Sequence, residues 1–277
     1  MKRYRIVSMD FDSRAVILSK EIGQDWQTEV KENWIENKRK ITSELISEFG
    51  EVAYPMKINN FVELGQKPFS VVAFHNKFYH QARYAFVIGS YYPALTGVCA
   101  LGERILNHLI LSLRDYFKGT DEYKKVYNKD SFDDWDRAIN VLASWNILQP
   151  DPVARFRELK KIRHDNIHFG YSTDYNDRGY ALEALLKMAE IIKGQFAAGG
   201  SLPWFISNVR GVTYIKKEYE TDPFVKNIYL PSCALVGPDH RMEIENDSLK
   251  VVDENQYEER DISDEEFVQL AQQRGQA

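Results

Sequence analysis

The sequence predicts an α+β fold in which a central all-α bundle lies between an N-terminal β-hairpin with a helix and a small C-terminal β region. Apolar residues recur at helical spacing across 71–197, which is typical of packed helices. Short β-rich runs separated by turn residues fill 201–252, and residues 1–20 alternate apolar and polar side chains. The predicted divisions are the hairpin and helix (1–66), the bundle (67–200), the β region (201–252) and an acidic tail (253–277).

The composition is that of a protein with a substantial core. Of its 277 residues, 44% are hydrophobic and 13% are aromatic, which excludes a disordered chain. The only cysteines are Cys99 and Cys233, which argues against a disulfide framework and favours a reducing compartment. The N-terminus reaches Asp10 before a secretory segment develops, and Arg104 and Arg114 interrupt the longest apolar stretches. We therefore predict a cytoplasmic protein with no membrane contact.

Charge is distributed unevenly along the chain. The net charge is −5, and residues 251–277 carry eight acidic and two basic side chains, a local net charge of −6 that leaves the remainder near +1. Five basic residues cluster just before His164, namely Arg155, Arg157, Lys160, Lys161 and Arg163. Such a run forms either a solvated helix face or a patch that attracts phosphate groups.

Residues 1–20 predict two short strands joined by a tight turn at 10–14. The sequence Asp10-x-Asp12 is also similar to the nucleophile loop of haloacid-dehalogenase-like phosphatases, where the first aspartate attacks phosphorus and the second transfers a proton. Arg14 stands where that loop has Thr or Val, and the strand–helix alternation of those enzymes is missing downstream. The turn is the favoured interpretation, and the phosphatase alternative would require magnesium and Asp10.

A charged helix is predicted over residues 24–49. Its apolar stripe includes Trp26, Trp34 and Leu45, and Gly50 is suited to end the helix. The segment 50–70 contains several glycines and prolines, which predicts a boundary between this helix and the bundle.

Five further helices form the predicted bundle. The first spans about 71–90, and Pro93 is suited to the first turn of a long apolar helix after it. A capping pattern at 131–134 precedes a helix whose apolar face begins at Trp135. The last helix, at 178–196, shows the clearest amphipathic pattern.

Between those two lies the helix that contains the basic cluster. Asp151 is suited to cap it, with Pro152 as its first residue. Apolar residues then step along one face at intervals of three, at Val153, Phe156, Leu159 and Ile162. The basic residues fall between them, so the pattern predicts that they face solvent.

Strand-like runs follow residue 200, at 204–206, 212–215, 228–230, 234–236, 242–244 and 249–252. In the tail, Ser263 and Glu266 form a capping pattern that predicts a helix from 263 to 273. The sequence has no zinc-ligand spacing and no glycine-rich phosphate loop, and we therefore predict neither a metal nor a cofactor.

The stretch Arg163-His164-Asp165-Asn166-Ile167-His168, near the end of the basic helix, has the side chains that phosphodiester cleavage without a metal requires. A histidine donates or accepts a proton near neutral pH. A guanidinium binds phosphate and stabilises the charge that develops on it. The spacing alone is not specific, because Arg157 and His164 have the same kind of spacing.

The spacing of Arg163 and His168 predicts a composite site. Five residues correspond to about 500° of rotation, so the two side chains point about 140° apart on a straight helix. His164 and His168 are four residues apart and share a face. We therefore expect a site completed by another helix or by a second subunit, where two copies of the helix meet about a two-fold axis.

A helical bundle with Arg163-His164-x-x-x-His168 late in a helix resembles the HEPN superfamily. The signature of that family is Arg, a polar Asn, Asp or His, a short spacer and His. The resemblance covers roughly residues 71–197 and does not extend to 1–66 or 201–277. It implies a metal-independent endoribonuclease in antiviral defence or a toxin system, active as a homodimer on RNA.

The resemblance also implies roles for individual residues. His168 would be the general acid and base, Arg163 would bind the scissile phosphate, and His164 or Asn166 would position it. The basic residues before the motif would bind RNA, namely Arg155, Arg157, Lys160 and Lys161. An antitoxin or regulatory protein is an expected partner.

Two alternatives to catalysis remain open on the sequence. Arg163 can cap the end of its helix while His168 is a half-buried structural side chain. Alternatively, the bundle is a non-catalytic HEPN-like module that binds nucleotide, nucleic acid or protein.

Overall fold

A computed structural model of the chain confirms the predicted α+β class, with helices predominating over short strands. The structure describes residues 1–167, 172–207, 209, 213–245 and 248–273. The helices are α1 (Arg14–Ser19), α2 (Thr28–Phe49), α3 (Tyr54–Glu63), α4 (Asn76–Val87), α5 (Tyr91–Leu113), α6 (Asp121–Lys124), α7 (Trp135–Ser144), α8 (Pro150–Ile167), α9 (Thr173–Gln195) and α10 (Asp264–Gln273). The strands are β1 (Arg3–Ile6), β2 (Met9–Asp12), β3 (Lys67–Val71), β4 (Cys233–Val236), β5 (Arg241–Glu245) and β6 (Ser248–Val252).

Helix α5 is the centre of the bundle. It packs against α4, α7, α8 and α9, and eleven of its residues are buried. By length and composition the stretch Tyr91–Phe117 would be able to cross a membrane. Its burial among four other helices instead identifies it as a core helix of the bundle.

The predicted N-terminal hairpin does not form. Strand β1 pairs with β4 and β2 pairs with β3, both antiparallel. The backbone N–H groups of Val7 and Ser8 donate to the Ser232 carbonyl, at 2.9 and 3.2 Å, so the chain passes from one sheet to the other. The predicted turn is instead the start of α1, where Asp12 accepts a bond from the Arg14 backbone at 3.0 Å. Alternation marks a strand but does not specify its partner.

The segment predicted as a boundary, 50–70, contains α3 and β3. Gly50 ends α2 as predicted, with a φ of 83° that favours glycine. The buried Asn60 of α3 donates to the Phe86 carbonyl of α4 at 3.1 Å. Because Leu45 of α2 belongs to the same buried core as the bundle, the N-terminal helices pack as part of it.

In the β region, the predicted strands at 234–236, 242–244 and 249–252 are present as β4, β5 and β6. Those at 204–206 and 212–215 contribute single bridges, Phe205 to Ile215 and Arg5 to Tyr214. The predicted strand at 228–230 is wrong, because Val225–Tyr229 forms a π-helical turn. Asp222 caps this turn by accepting a bond from the Val225 backbone at 2.9 Å.

The predicted tail helix is confirmed as α10. Ser263 Oγ accepts a hydrogen bond from the Glu266 backbone at 3.1 Å, as its capping pattern predicts. Phe267 is fully buried in a small cluster with Tyr214 and Val236. Asp264 forms a 2.6 Å ion pair with Arg3, so the described part of the acidic tail is packed against the N-terminal strand.

Candidate functional site

Helix α8 carries the predicted site. It begins at Pro150, one residue before the predicted cap. Its buried residues are Pro152, Phe156, Leu159, Ile162 and Asn166. The predicted apolar face is therefore largely confirmed, and the basic side chains project from the other faces.

Arg163 is held between α8, α5 and α7. Its Nη2 atom lies 3.2 Å from Glu103 Oε2, and its guanidinium carbon lies 5.9 Å from the centre of the Trp135 ring. Trp135 Nε1 donates to the same Glu103 oxygen at 3.3 Å. The Arg163 side chain is 28% exposed, so the guanidinium is fixed in orientation while part of it remains accessible.

A glycine allows this arrangement. A Cβ atom added at Gly102 would lie 2.5 Å from Trp135 Cη2 and 2.9 Å from Leu159 Cδ2. Without that atom, α5 approaches α7 and α8 closely enough for Trp135 to be buried at 2% exposure. The indole beneath Arg163 is consequently a rigid support rather than a mobile surface ring.

Asn166 connects the end of α8 to the start of α9. It is 4% exposed, its Nδ2 donates to the Ile162 carbonyl at 2.8 Å, and its Oδ1 accepts a bond from Thr173 Oγ1 at 2.9 Å. These two hydrogen bonds use the Asn166 amide to connect residues before and after His168. A direct contact with substrate would require them to break.

His168, the predicted acid and base, lies outside the described residues, as do 169–171. His164 is exposed on α8, directly after Arg163. The structure therefore brings Arg163 into contact with Glu103 and Trp135. Asn166 is buried at the C-terminal end of α8.

The predicted RNA-binding cluster is largely paired with acidic or amide groups. Arg155 forms ion pairs with Glu158 and Glu190, both at 2.9 Å, and with Asp151 at 3.5 Å. The Lys160 ammonium pairs with Asp136. Arg157 donates to Asn140 Oδ1 at 3.1 Å, and Lys161 is exposed. The positive potential of this face is weaker than the sequence alone suggests, since neighbouring carboxylates offset it.

Glu103 and Trp135 are site residues that the sequence reasoning missed. The sequence predicts Trp135 on the apolar face of a helix, whereas Glu103 carries no recognisable signal. The sequence positions of these two residues do not predict a contact with Arg163, because the contact depends on how α5, α7 and α8 cross. The one signal available is Gly102, next to Glu103, since a glycine inside a helix often marks a close packing contact.

Asp10 and Asp12, the residues of the phosphatase alternative, lie on β2 in a two-stranded antiparallel sheet. The Asp10 carboxylate pairs with Lys67 and accepts a bond from Asn76 Nδ2 at 3.1 Å. The strand–helix alternation that the alternative requires does not occur in the part of the chain that the structure describes. Among those same residues, no three His, Cys, Asp or Glu side chains are grouped to hold a metal ion.

Comparisons with protein-family models, with curated proteins and with solved structures found no match to this chain. The chemistry of the site itself therefore has to support any functional assignment.

Proposed function

We propose that this protein is a metal-independent endoribonuclease of the HEPN type. The observation that carries the proposal is the Arg163 guanidinium, which is oriented by Glu103 and Trp135 and stays partly exposed. A guanidinium fixed in this way can bind a phosphate bidentately with little loss of conformational entropy. It stands five residues before His168, the imidazole that the reaction needs.

In the proposed reaction, His168 removes the proton from a ribose 2′-hydroxyl, and the 2′-oxygen attacks phosphorus. The bond from phosphorus to the 5′-oxygen breaks, and that oxygen receives a proton from an imidazolium. The products are a 2′,3′-cyclic phosphate and a 5′-hydroxyl. Arg163 stabilises the charge on the phosphoryl oxygens. Because one imidazole removes a proton and another group supplies one, we propose a homodimer in which two copies of the segment meet.

Incubation of the purified protein with total RNA in EDTA tests this proposal. We expect fragments with cyclic phosphate ends from the wild type. The His168→Ala variant should lose at least about 100-fold of the rate, which is the lower range for general acid–base catalysis. Arg39→Ala is the matched control for Arg163→Ala, since Arg39 also pairs with a glutamate, Glu36 at 2.8 Å, but on α2 and outside the RNA-binding cluster. Unchanged cleavage by His168→Ala, with unchanged circular dichroism, would remove the enzyme assignment.

A second candidate is a non-catalytic HEPN-like module that binds RNA or nucleotide. The Arg163 guanidinium favours it, because a fixed and partly exposed guanidinium is sufficient to bind a phosphate without a catalytic imidazole. In that case the same assay yields binding without fragments, and Arg163→Ala abolishes the binding. Analytical ultracentrifugation separates the candidates further, since the nuclease requires a dimer.

We infer that the protein acts in the cytoplasm, in antiviral defence or in a toxin system with a regulatory partner protein. Cys99 and Cys233 are both free, and burial raises the pKa of each thiol to about 12. Unreactive thiols are consistent with a reducing compartment. Co-purification from a native host would identify the regulatory partner. Absence of this protein from the cytoplasmic fraction of that host would contradict the proposed location.

A further inference from the structure

A small cavity lies away from Arg163, between the N-terminal segment and α4. Its volume is about 210 Å³, less than the pockets that hold drug-sized ligands and enough for one heterocycle. It is lined by Asp10, Phe11, Asp12, Glu48, Phe49, Phe61, Lys67, His80, Arg83, Tyr84 and Val87. Aromatic rings and charged groups of both signs therefore line one partly open cavity.

Arg83 is the distinctive member of this lining. It is 6% exposed, and its guanidinium donates to the carbonyls of Leu64 at 3.4 Å and Gly65 at 2.8 Å. No carboxylate of the described chain lies within ion-pair distance of it. The Tyr79 hydroxyl is a third partner of this guanidinium. With five N–H groups and three partners, Arg83 still has donors left for a ligand acceptor.

The carboxylates of the cavity provide the complementary groups. Asp10 binds Lys67 and Asn76 through Oδ2, and Glu48 binds Arg14 through Oε2. The second oxygen of each accepts no hydrogen bond from the residues that the structure describes. The cavity has three carboxylates, and three cations balance their charge. The carboxylates are Asp10, Asp12 and Glu48, and the cations are Lys67, Arg83 and Arg14, which bonds Glu48. A neutral ligand therefore fits this site better than a phosphate does.

The aromatic residues add flat, fixed surfaces. Phe11 is 47% exposed and Tyr84 is 38% exposed, which places both rings where the cavity opens. Phe11 stacks on Phe69 with ring centres 4.1 Å apart, and the Tyr84 ring lies 5.2 Å from Phe49. Rings held by neighbours provide stacking surfaces at low entropic cost.

We propose that this cavity binds a guanine base. The base presents the carbonyl O6 and N7 as acceptors for Arg83, the pairing that arginine makes most often with guanine. Its N1–H and amino group supply donors for the free oxygens of Asp10 and Glu48. Adenine reverses this pattern, because its amino group would meet the guanidinium and its N1 lone pair would meet a carboxylate. The site is separate from the proposed RNA cleavage and does not depend on it.

Isothermal titration with guanosine and adenosine tests the proposal on the intact protein. We expect guanosine to bind at least about tenfold more tightly than adenosine, the difference that one correct hydrogen-bond pattern provides. Phe11→Ala should weaken guanosine binding about tenfold through lost stacking. Tyr127→Ala removes a ring that is 52% exposed and does not line the cavity, and it should leave the affinity unchanged.

Arg83→Lys keeps the charge but removes the planar fork, so it should abolish the preference for guanosine over adenosine. If this buried substitution prevents folding, Phe11→Ala at the exposed rim still tests the site. Guanine can come from a free nucleotide or from an RNA strand. Displacement of guanosine by a guanosine-containing trinucleotide supports the RNA source, and no displacement supports the free nucleotide. Absence of guanosine binding at millimolar concentration, or equal binding of both nucleosides, overturns the proposal.

Discussion

At the scale of single residues, Glu103 controls the availability of Arg163. Its carboxylate competes with any phosphate for the guanidinium at 3.2 Å. Glu103→Gln keeps an oxygen for the Trp135 indole but removes the negative charge. We expect RNA affinity at 50 mM salt to rise by about three- to tenfold, the gain from releasing one cation for phosphate contact. Fluorescence anisotropy with a short labelled RNA measures this change.

The control for this variant is Glu36→Gln. Glu36 forms a similar ion pair with Arg39 at 2.8 Å, but on the exposed surface of α2. Its loss should leave RNA affinity unchanged. If Glu103→Gln binds RNA no better than the wild type, Arg163 does not contact phosphate, and both proposed functions lose their central residue.

His75 gives the protein a pH-dependent stability. It is 1% exposed. Burial lowers the pKa of this imidazole to about 3, and the charges of Asp10 and Lys67 act in opposite directions. The unfolded chain takes up a proton below pH ~6.5, whereas the folded protein does not until near pH 3. This contribution is therefore present above pH 6.5 and is lost as the pH falls toward 3.

At pH 5 the expected loss is about 2 kcal/mol of unfolding free energy relative to pH 7. Urea unfolding at the two pH values measures it. Between pH 7 and pH 5, the loss of unfolding free energy should be about 2 kcal/mol smaller in His75→Gln than in the wild type, since Gln does not titrate. His80→Gln, at an exposed histidine of α4, the helix that His75 precedes, should retain the wild-type difference. An identical pH response in His75→Gln and wild type would show that His75 takes no part.

The sequence singled out Arg163 and Asn166 because their residue types and spacing suit phosphate chemistry, and for Arg163 that role stays a prediction. It did not anticipate that Asn166 would be buried, with its amide bonded to Ile162 and Thr173. It did not identify Glu103, which faces Arg163 only after three helices have packed. It also overestimated the basic cluster, because Asp136 and Glu190, which offset Lys160 and Arg155, come from other helices. Charge counted along the chain omits such partners.

At the scale of helices, Gly102 sets how closely α5 approaches α7 and α8. In Gly102→Ala, the new methyl group would lie 2.5 Å from Trp135 and 2.9 Å from Leu159. We expect a net destabilisation of about 1–3 kcal/mol from overpacking, even though alanine favours the helix. Thermal unfolding measures this effect. RNA binding should fall as well, because Trp135 supports Arg163.

Gly97 provides the matched control on the same helix. A Cβ atom there would meet the Ala82 methyl at 3.8 Å, an ordinary contact. Gly97→Ala should therefore be neutral or stabilise the protein by up to about 1 kcal/mol. Equal effects of the two substitutions would mean that Gly102 has no special packing role.

Elements were predictable where a local signal coincided with the final packing. Helices α5 and α9 have apolar stripes that the bundle buries, and the Ser263 cap depends only on neighbours within one turn. The N-terminal hairpin failed because β1 and β2 pair with strands far along the chain. The run at 228–230 failed because Asp222 caps a helical turn that buries the same apolar side chains. In both cases tertiary partners determined the outcome.

At the scale of the whole molecule, the N-terminal strand β1 is in contact with the C-terminal tail. The Met1 amino group donates to the Arg260 carbonyl at 2.8 Å, and β1 lies between β4 and the backbone of 213–215. Phe267 of α10 is fully buried against this arrangement, with its ring centre 4.9 Å from that of Tyr214. The acidic tail thus stabilises the N-terminal strand, and its described contacts are with that strand and with residues 214–217 and 236–239 rather than with α8.

The variant Phe267→Ala tests this role of the tail. Loss of a fully buried ring should cost about 3–5 kcal/mol of unfolding free energy, and hydrogen exchange should become faster in β1. RNA affinity of the folded protein should not change, because α10 does not cover the basic helix. Gln269→Ala, at an exposed position of the same helix, is the control and should alter neither property. If Phe267→Ala instead leaves stability intact and strengthens RNA binding, the tail shields the RNA-binding surface electrostatically, and its packing against β1 is not its main role.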